Sequence, residues 1–141
     1  MEYQDDTLNQ IAATQKLAIQ KIKSGGLIEL SVRGDFVCQL NIGPDALDWY
    51  AIVHDRENSK EVWQDWMDYL GYNDGKTQAE LIDDKRRDMS TFIEAWLRAS
   101  DARITQTKTK FLFGTISFRS TELELCLGGQ WQVAPIYDPS R

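Results

Sequence analysis

Asn58-Ser59-Lys60-Glu61-Val62-Trp63-Gln64-Asp65-Trp66-Met67-Asp68-Tyr69-Leu70-Gly71 is the stretch on which the fold turns. Asn58 and Glu61 have the spacing of a capping box, in which one side chain accepts from the backbone N–H three residues on and the other reaches back. Behind them Val62, Trp63, Trp66, Met67 and Leu70 recur at helical spacing, and Gly71 stands where a helix stops. The spacing predicts a helix with a heavy apolar stripe. At about 100° per residue, Glu61, Asp65 and Asp68 then fall within about 60° of one another on the opposite side, as an acidic ridge. Tyr69 stands about 80° from Glu61, at the flank of that ridge, and Tyr72 follows directly beyond the stop.

Outward from this stretch the elements segregate. On the N-terminal side, residues 7–23 place Leu8, Ile11, Ala12, Ala18, Ile19 and Ile22 at helical spacing before Gly25-Gly26. Ile28, Leu30 and Val32 then alternate with polar residues, as do Phe36, Cys38, Leu40 and Ile42 with their neighbours. Gly34-Asp35 between the two runs reads as a hairpin turn, and a third strand fits residues 47–53. On the C-terminal side Thr77 and Glu80 form a second capping box, opening a long helix whose stripe of Leu81, Ile82, Met89, Phe92, Ile93, Trp96 and Leu97 runs to about residue 99. Its run Asp83-Asp84-Lys85-Arg86-Arg87-Asp88 reads as a solvated face. Strands over 104–109, 111–118, 122–127 and 130–134 follow, with Gly128-Gly129 as the turn between the last two. The expected order is α-βββ-αα-ββββ: an α+β fold with a mostly antiparallel sheet of about six to seven strands and three helices. No repeat or linker divides the chain, so residues 1–141 are expected to form one domain.

With 141 residues, 42% of them apolar and 27% charged, the chain is long enough to bury a core without metal or disulfide staples. No apolar run reaches the roughly 18–20 residues of a membrane span, and the start, Met1-Glu2-Tyr3-Gln4-Asp5-Asp6, is too acidic for a signal peptide. A cytosolic location is the expectation. Cys38 and Cys126 lie too far apart in sequence for a metal or redox motif and read as small hydrophobes, Cys126 the more exposed. Sixteen basic against twenty-two acidic residues give a net charge of −6, which argues against nucleic acid or an anionic membrane as ligand. The charge is not spread evenly. Residues 45–74 hold eight acids (Asp45, Asp48, Asp55, Glu57, Glu61, Asp65, Asp68, Asp74) and two bases (Arg56, Lys60), while the rest of the chain is balanced.

Candidate chemistry is sparse. His54 is the one histidine, so histidine-rich metal sites are excluded and any Cys–His or Ser–His chemistry must pass through it. Beside Asp55, Arg56 and Glu57 it reads as a surface histidine at a strand end. Asn73-Asp74-Gly75 lacks the further ligands of a calcium loop, Arg33-Gly34-Asp35 reads as a turn, and no phosphate-binding or nucleophile-elbow motif occurs. No catalytic residue, cofactor or metal is therefore assigned, and the expectation is a binding protein, not an enzyme. Like charges at Glu61, Asp65 and Asp68 repel at a few tenths of a kcal/mol per pair, a cost offset where a dense negative face captures and orients a cationic partner. Asp55, Glu57, Glu61, Asp65 and Asp68 are the electrostatic candidates, and Tyr69 and Tyr72 the aromatic anchors at their edge.

In length, acidity and the aromatic-edged acidic stretch over residues 47–72, the chain resembles the small bacterial immunity proteins that neutralise polymorphic or contact-dependent toxins. That resemblance implies a basic toxin domain, often a nuclease, as partner, with the acidic surface covering its active site or substrate groove. Two other classes share part of the character. A type III secretion-type chaperone is also small, acidic and α+β, but ends in a helix where this chain ends in the Gly128-Gly129 hairpin. A small enzyme would have to be built around His54.

Overall fold

Alternation, not helical periodicity, governs the first half of the described chain. The computed structural model describes residues 19–22, 25–42, 48–69, 75–111 and 116–136. Five strands come first: β1 (Ile19–Ile22), β2 (Gly25–Glu29), β3 (Phe36–Ile42), β4 (Asp48–Asp55) and β5 (Glu61–Asp68). They form one antiparallel sheet in sequence order. A helix, α1 (Gln78–Arg98), follows, and then β6 (Asp101–Phe111), β7 (Ile116–Leu127) and β8 (Gln130–Val133), which form a second, three-stranded antiparallel sheet. The chain is α+β as expected, but the expected order is overturned: among the described residues there is one helix, not three.

The largest correction concerns the stretch at Asn58. Glu61–Asp68 is a strand paired with β4, with Trp49 opposite Met67, Tyr50 opposite Trp66 and Asp48 opposite Asp68. Asn58 caps no helix; its Oδ1 accepts from the Lys60 N–H at 2.8 Å, inside the β4–β5 loop. The Asp55 carboxylate closes the same loop by accepting from Glu57 N–H (2.9 Å) and Asn58 N–H (3.4 Å), and Ser59 takes a left-handed conformation (φ 57°). Such side-chain bonds to nearby backbone serve turns as readily as helix starts. The register shifts by one residue at Val53/His54, so that Trp63 faces Val53 and Glu61 faces His54, leaving Val62 as the extra residue of a bulge. With Val62 in the bulge and the apolar Trp66 facing outward, Val62, Trp63, Trp66 and Met67 fit a helical period although Trp63, Asp65 and Met67 alternate on the inward side of the strand. Val, Trp and Tyr also fit a pleated, half-buried surface.

The other departures are smaller. The expected helix over 7–23 loses its end, because Ile19–Ile22 pairs with β2; its earlier residues lie outside the described part. The four strands expected at the C-terminus are three, since Ile116–Leu127 runs unbroken through Arg119, Ser120 and Thr121, opposite Lys108, Thr107 and Gln106. The long helix is as expected. Thr77 accepts from Glu80 N–H at 3.2 Å and Glu80 returns to Thr77 N–H at 3.2 Å, completing the capping box.

One apolar cluster draws on both sheets and the helix. Ile28, Cys38, Leu40, Trp49, Ala51, Val53 and Met67 from the inner face of the first sheet meet Met89, Phe92, Ile93 and Trp96 of α1 and Leu123 and Leu125 of β7. Trp49 and Phe92 pack edge to face at 5.9 Å. The end of α1 is tied to the β2–β3 connection. Trp96 Nε1 donates to the Ser31 carbonyl at 2.7 Å, and the Arg33 guanidinium donates to the carbonyls of Trp96 (3.1 Å) and Leu97 (2.9 Å), satisfying groups a helix end leaves open. The Arg33-Gly34-Asp35 turn is thus a structural clasp. Gly34 is in the left-handed region (φ 57°), and a methyl there would run into the Asp101 carboxylate and stand 3.0 Å from the Ala102 carbonyl.

Candidate functional site

The first sheet has one face on the core, and the register fixes what the other face presents. Side chains that alternate with the buried set are Leu27 and Glu29 on β2, Val37, Gln39 and Asn41 on β3, then Asp48, Tyr50, Ile52 and His54 on β4. On β5 they are Glu61, Gln64, Trp66 and Asp68. Four carboxylates stand on this outward face, and the four strands β2–β5 contain no lysine or arginine. Among the described residues, Glu29, Asp48 and Glu61 have no Lys or Arg nitrogen within salt-bridge distance.

Trp66 is the exposed apolar centre of the face. It is 48% exposed and stacks on Tyr50 directly opposite, with ring centroids 5.9 Å apart and planes 13° from parallel. Its indole Nε1 donates to Asp48 Oδ2 at 2.9 Å. Asp48 and Asp68 are cross-strand partners, a like-charge opposition that disfavours pairing, and the indole bond offsets part of that cost at Asp48. A rigid aromatic pair among carboxylates is the composition of an energetic hot spot.

The residues singled out in the sequence do not form the helical ridge expected of them. Glu61 and Asp68 lie on the outward face, whereas Asp65, opposite Ala51, lies on the inward side of β5 and accepts from the Trp66 N–H at 2.9 Å. Asp55 ends β4, its carboxylate bonded into the β4–β5 loop, and the exposed Glu57 lies in that loop. Tyr69 is not an edge anchor: it is 2% exposed, accepting from Trp49 Nε1 (3.1 Å) and donating to Asp88 Oδ2 (2.7 Å). Tyr72 lies outside the described residues. Trp66, assigned to the core stripe, is exposed, whereas Trp49 on the neighbouring strand is fully buried.

Glu29 and Trp66 were not read from the sequence as part of this face, and Asp48, counted in the acidic stretch, and Tyr50 were not among the assigned binding residues. Their signal was the alternation of Asp48-Trp49-Tyr50-Ala51-Ile52-Val53, which puts Tyr50 and Asp48 opposite the buried set once β4 is placed. On α1, Lys85 and Asp88 are buried, not solvated; both fall on the stripe between Leu81 and Phe92. Burial holds the Asp88 carboxyl above the usual carboxylate range, against the Tyr69 hydrogen bond and Arg87, which lower it.

His54 Nε2 is 3.3 Å from Gln39 Oε1, and its Nδ1 is buried without a partner. Cys38 is on the opposite face of the sheet, paired with Val53, and burial pushes its thiol pKa up, so no Cys–His pair forms. Cys38 and Cys126 are free thiols. Among the described residues no group of three or more potential ligands could hold a metal ion, and no helix is long and apolar enough to cross a membrane. Comparison with protein-family models, with curated proteins and with solved structures found no match, so the face is read from its own geometry.

Proposed function

We propose that the protein binds a cationic protein on the outward face of β2–β5, acting as an immunity-type inhibitor that covers a basic toxin domain. The observation that carries this reading is the pairing of a half-exposed, stacked Trp66 with four carboxylates on strands that hold no lysine or arginine. Carboxylates at the rim speed encounter with a positive surface, and the aromatic centre supplies desolvated area once docked. Toxin inhibition further rests on the resemblance in length and acidity; the helical ridge is not part of it.

The partner is to be captured from the native organism, with the product of the adjacent upstream gene included, and its association kinetics measured. Glu61→Lys together with Asp48→Asn should lower the association rate by about tenfold at low salt and flatten its dependence on ionic strength. Rates and salt dependence equal to those of the unsubstituted chain would remove these carboxylates from the interface.

A further inference from the structure

Among the described residues the two sheets end in four edge strands, β1 and β5 in the first and β6 and β8 in the second. Folded proteins protect such edges, commonly with charge, because a row of unpaired N–H and C=O groups templates another strand. β1 carries Lys21, β5 three carboxylates, and β6 charges of both signs. β8 (Gln130–Val133) carries none, and no charged residue stands between Glu124 and Asp138. Val133, at its end, is 57% exposed, the most exposed large hydrophobic side chain among the described residues. Register decides which backbone groups of β8 are open. Ala134 N–H donates to the Leu123 carbonyl at 2.9 Å, and hydrogen-bonded pairs alternate along an antiparallel ladder. Gln132 with Leu125 and Gln130 with Leu127 are therefore the bonded pairs, while Trp131 and Val133, opposite Cys126 and Glu124, turn their N–H and C=O groups to the open edge. Among the described residues no backbone group pairs with them there. Two residues further on, Pro135 has no N–H to offer, so the open ladder ends.

We propose that β8 pairs with β8 of a second copy of this chain, antiparallel about a two-fold axis at Gln132, joining two three-stranded sheets into one. In that register Trp131 exchanges both backbone bonds with Val133 of the second copy, and the symmetry repeats the exchange, so each open group of the two residues is paired. A register centred on Trp131 would set Val133 opposite Gly129, and one centred on Val133 would set Trp131 against Pro135. Directly opposite residues share a face. The Trp131 ring therefore meets Val133 of the second copy, an aromatic–β-branched pair of the kind that stabilises antiparallel strands. The ring is already held, since Arg103 lies over it at 4.2 Å and is itself fixed by Glu124 at 3.3 Å. Charge selects the same occupant. Each chain carries −6, so two copies meet most readily through an uncharged contact, whereas a cationic protein is drawn to the carboxylates of the first sheet. A contact between strands of four residues falls below the roughly 1,200 Å² of stable interfaces, so the dimer is a weak one.

Sedimentation velocity of the full chain over a concentration series tests this, with amide hydrogen exchange at both ends of the series. A monomer–dimer equilibrium is expected, and it should tighten as salt is raised, because salt screens the repulsion between two negative chains. Capture of a cationic partner weakens with salt, so the two associations are told apart by sign. Amide protection at Trp131 and Val133 should rise with concentration, while Gln130 and Gln132, already bonded to β7, stay as they are. Val133→Glu, whose amide spectrum reports that it is folded, should weaken the dimer by about tenfold or more, because it adds like charge and removes the apolar pair. Val133→Pro, which removes an N–H that β7 does not use, should do the same. A chain that stays monomeric up to about 1 mM, even one whose Trp131 and Val133 amides are protected by an added alternating Thr-Val peptide, would overturn the proposal. So would a dimer indifferent to both Val133 variants, or one whose newly protected amides lie on β2–β5.

Discussion

Trp66 and Tyr69 sit three residues apart, and strand geometry sends one to solvent and the other to the core. Tyr69 accepts from the Trp49 indole and donates to Asp88, so Tyr69→Phe leaves a buried N–H without its acceptor and takes one donor from the buried Asp88 carboxylate, which keeps Arg87. A loss of about 1–3 kcal/mol in a urea melt is expected, with partner affinity unchanged; a melt like that of the unsubstituted chain would contradict the network. Asp88 makes a prediction with a sign. Burial raises its folded pKa, so the folded chain holds that proton more tightly than the unfolded chain does. Its contribution is most favourable below the ordinary carboxylate range and is lost as pH rises through the raised value. Asp88→Asn keeps an oxygen for Tyr69 and removes the buried charge. The variant should be more stable than the unsubstituted chain at neutral pH, with the gain shrinking in acid; a gain independent of pH would assign it to packing.

At the scale of elements, the clasp between the β2–β3 turn and the end of α1 is the feature most exposed to a single change. Gly34→Ala forces a side chain into left-handed backbone, at about 1–2 kcal/mol, and pushes a methyl against Asp101 and the Ala102 carbonyl. Loss of at least that much stability in chemical denaturation is expected, and a change within about 0.5 kcal/mol, as at an ordinary surface site, would show that the turn yields. The helix α1 was legible because Thr77 and Glu80 cap it and its stripe persists over five turns, so local and tertiary preferences agree. The strand β5 was not legible. Asp65 interrupts the inward run of Trp63, Met67 and Tyr69, the apolar Trp66 faces outward and Val62 sits in the bulge, so the two-residue period was masked, and Asn58 offered a helix start while its side chain served a turn. Gly34-Asp35 and Gly128-Gly129 were readable because each turn demands glycine: φ is positive at Gly34, Gly128 and Gly129.

For the molecule as a whole, the concentration of acid in residues 45–74 was plain from composition, but its direction depended on β5. As a helix, Glu61, Asp65 and Asp68 would share a ridge; as a strand, Asp65 turns inward while Asp48 and Glu29 join Glu61 and Asp68 on the outer face. The negative surface therefore survives the change of element with a different membership, and it acquires an aromatic centre in Tyr50 and in Trp66, which helical periodicity had assigned to the core stripe. The most direct test of this face is to follow the Trp66 indole N–H and the backbone amides of β2–β5 by NMR while the captured basic partner is added. The indole signal and the amides around Glu29, Asp48, Tyr50, Glu61 and Asp68 should shift or broaden first, and Trp66→Ala should weaken binding by about thirtyfold or more, the loss of a hot-spot residue. Changes confined to β6–β8, with the Trp66 signal unmoved at saturation, would contradict this placement of the interface.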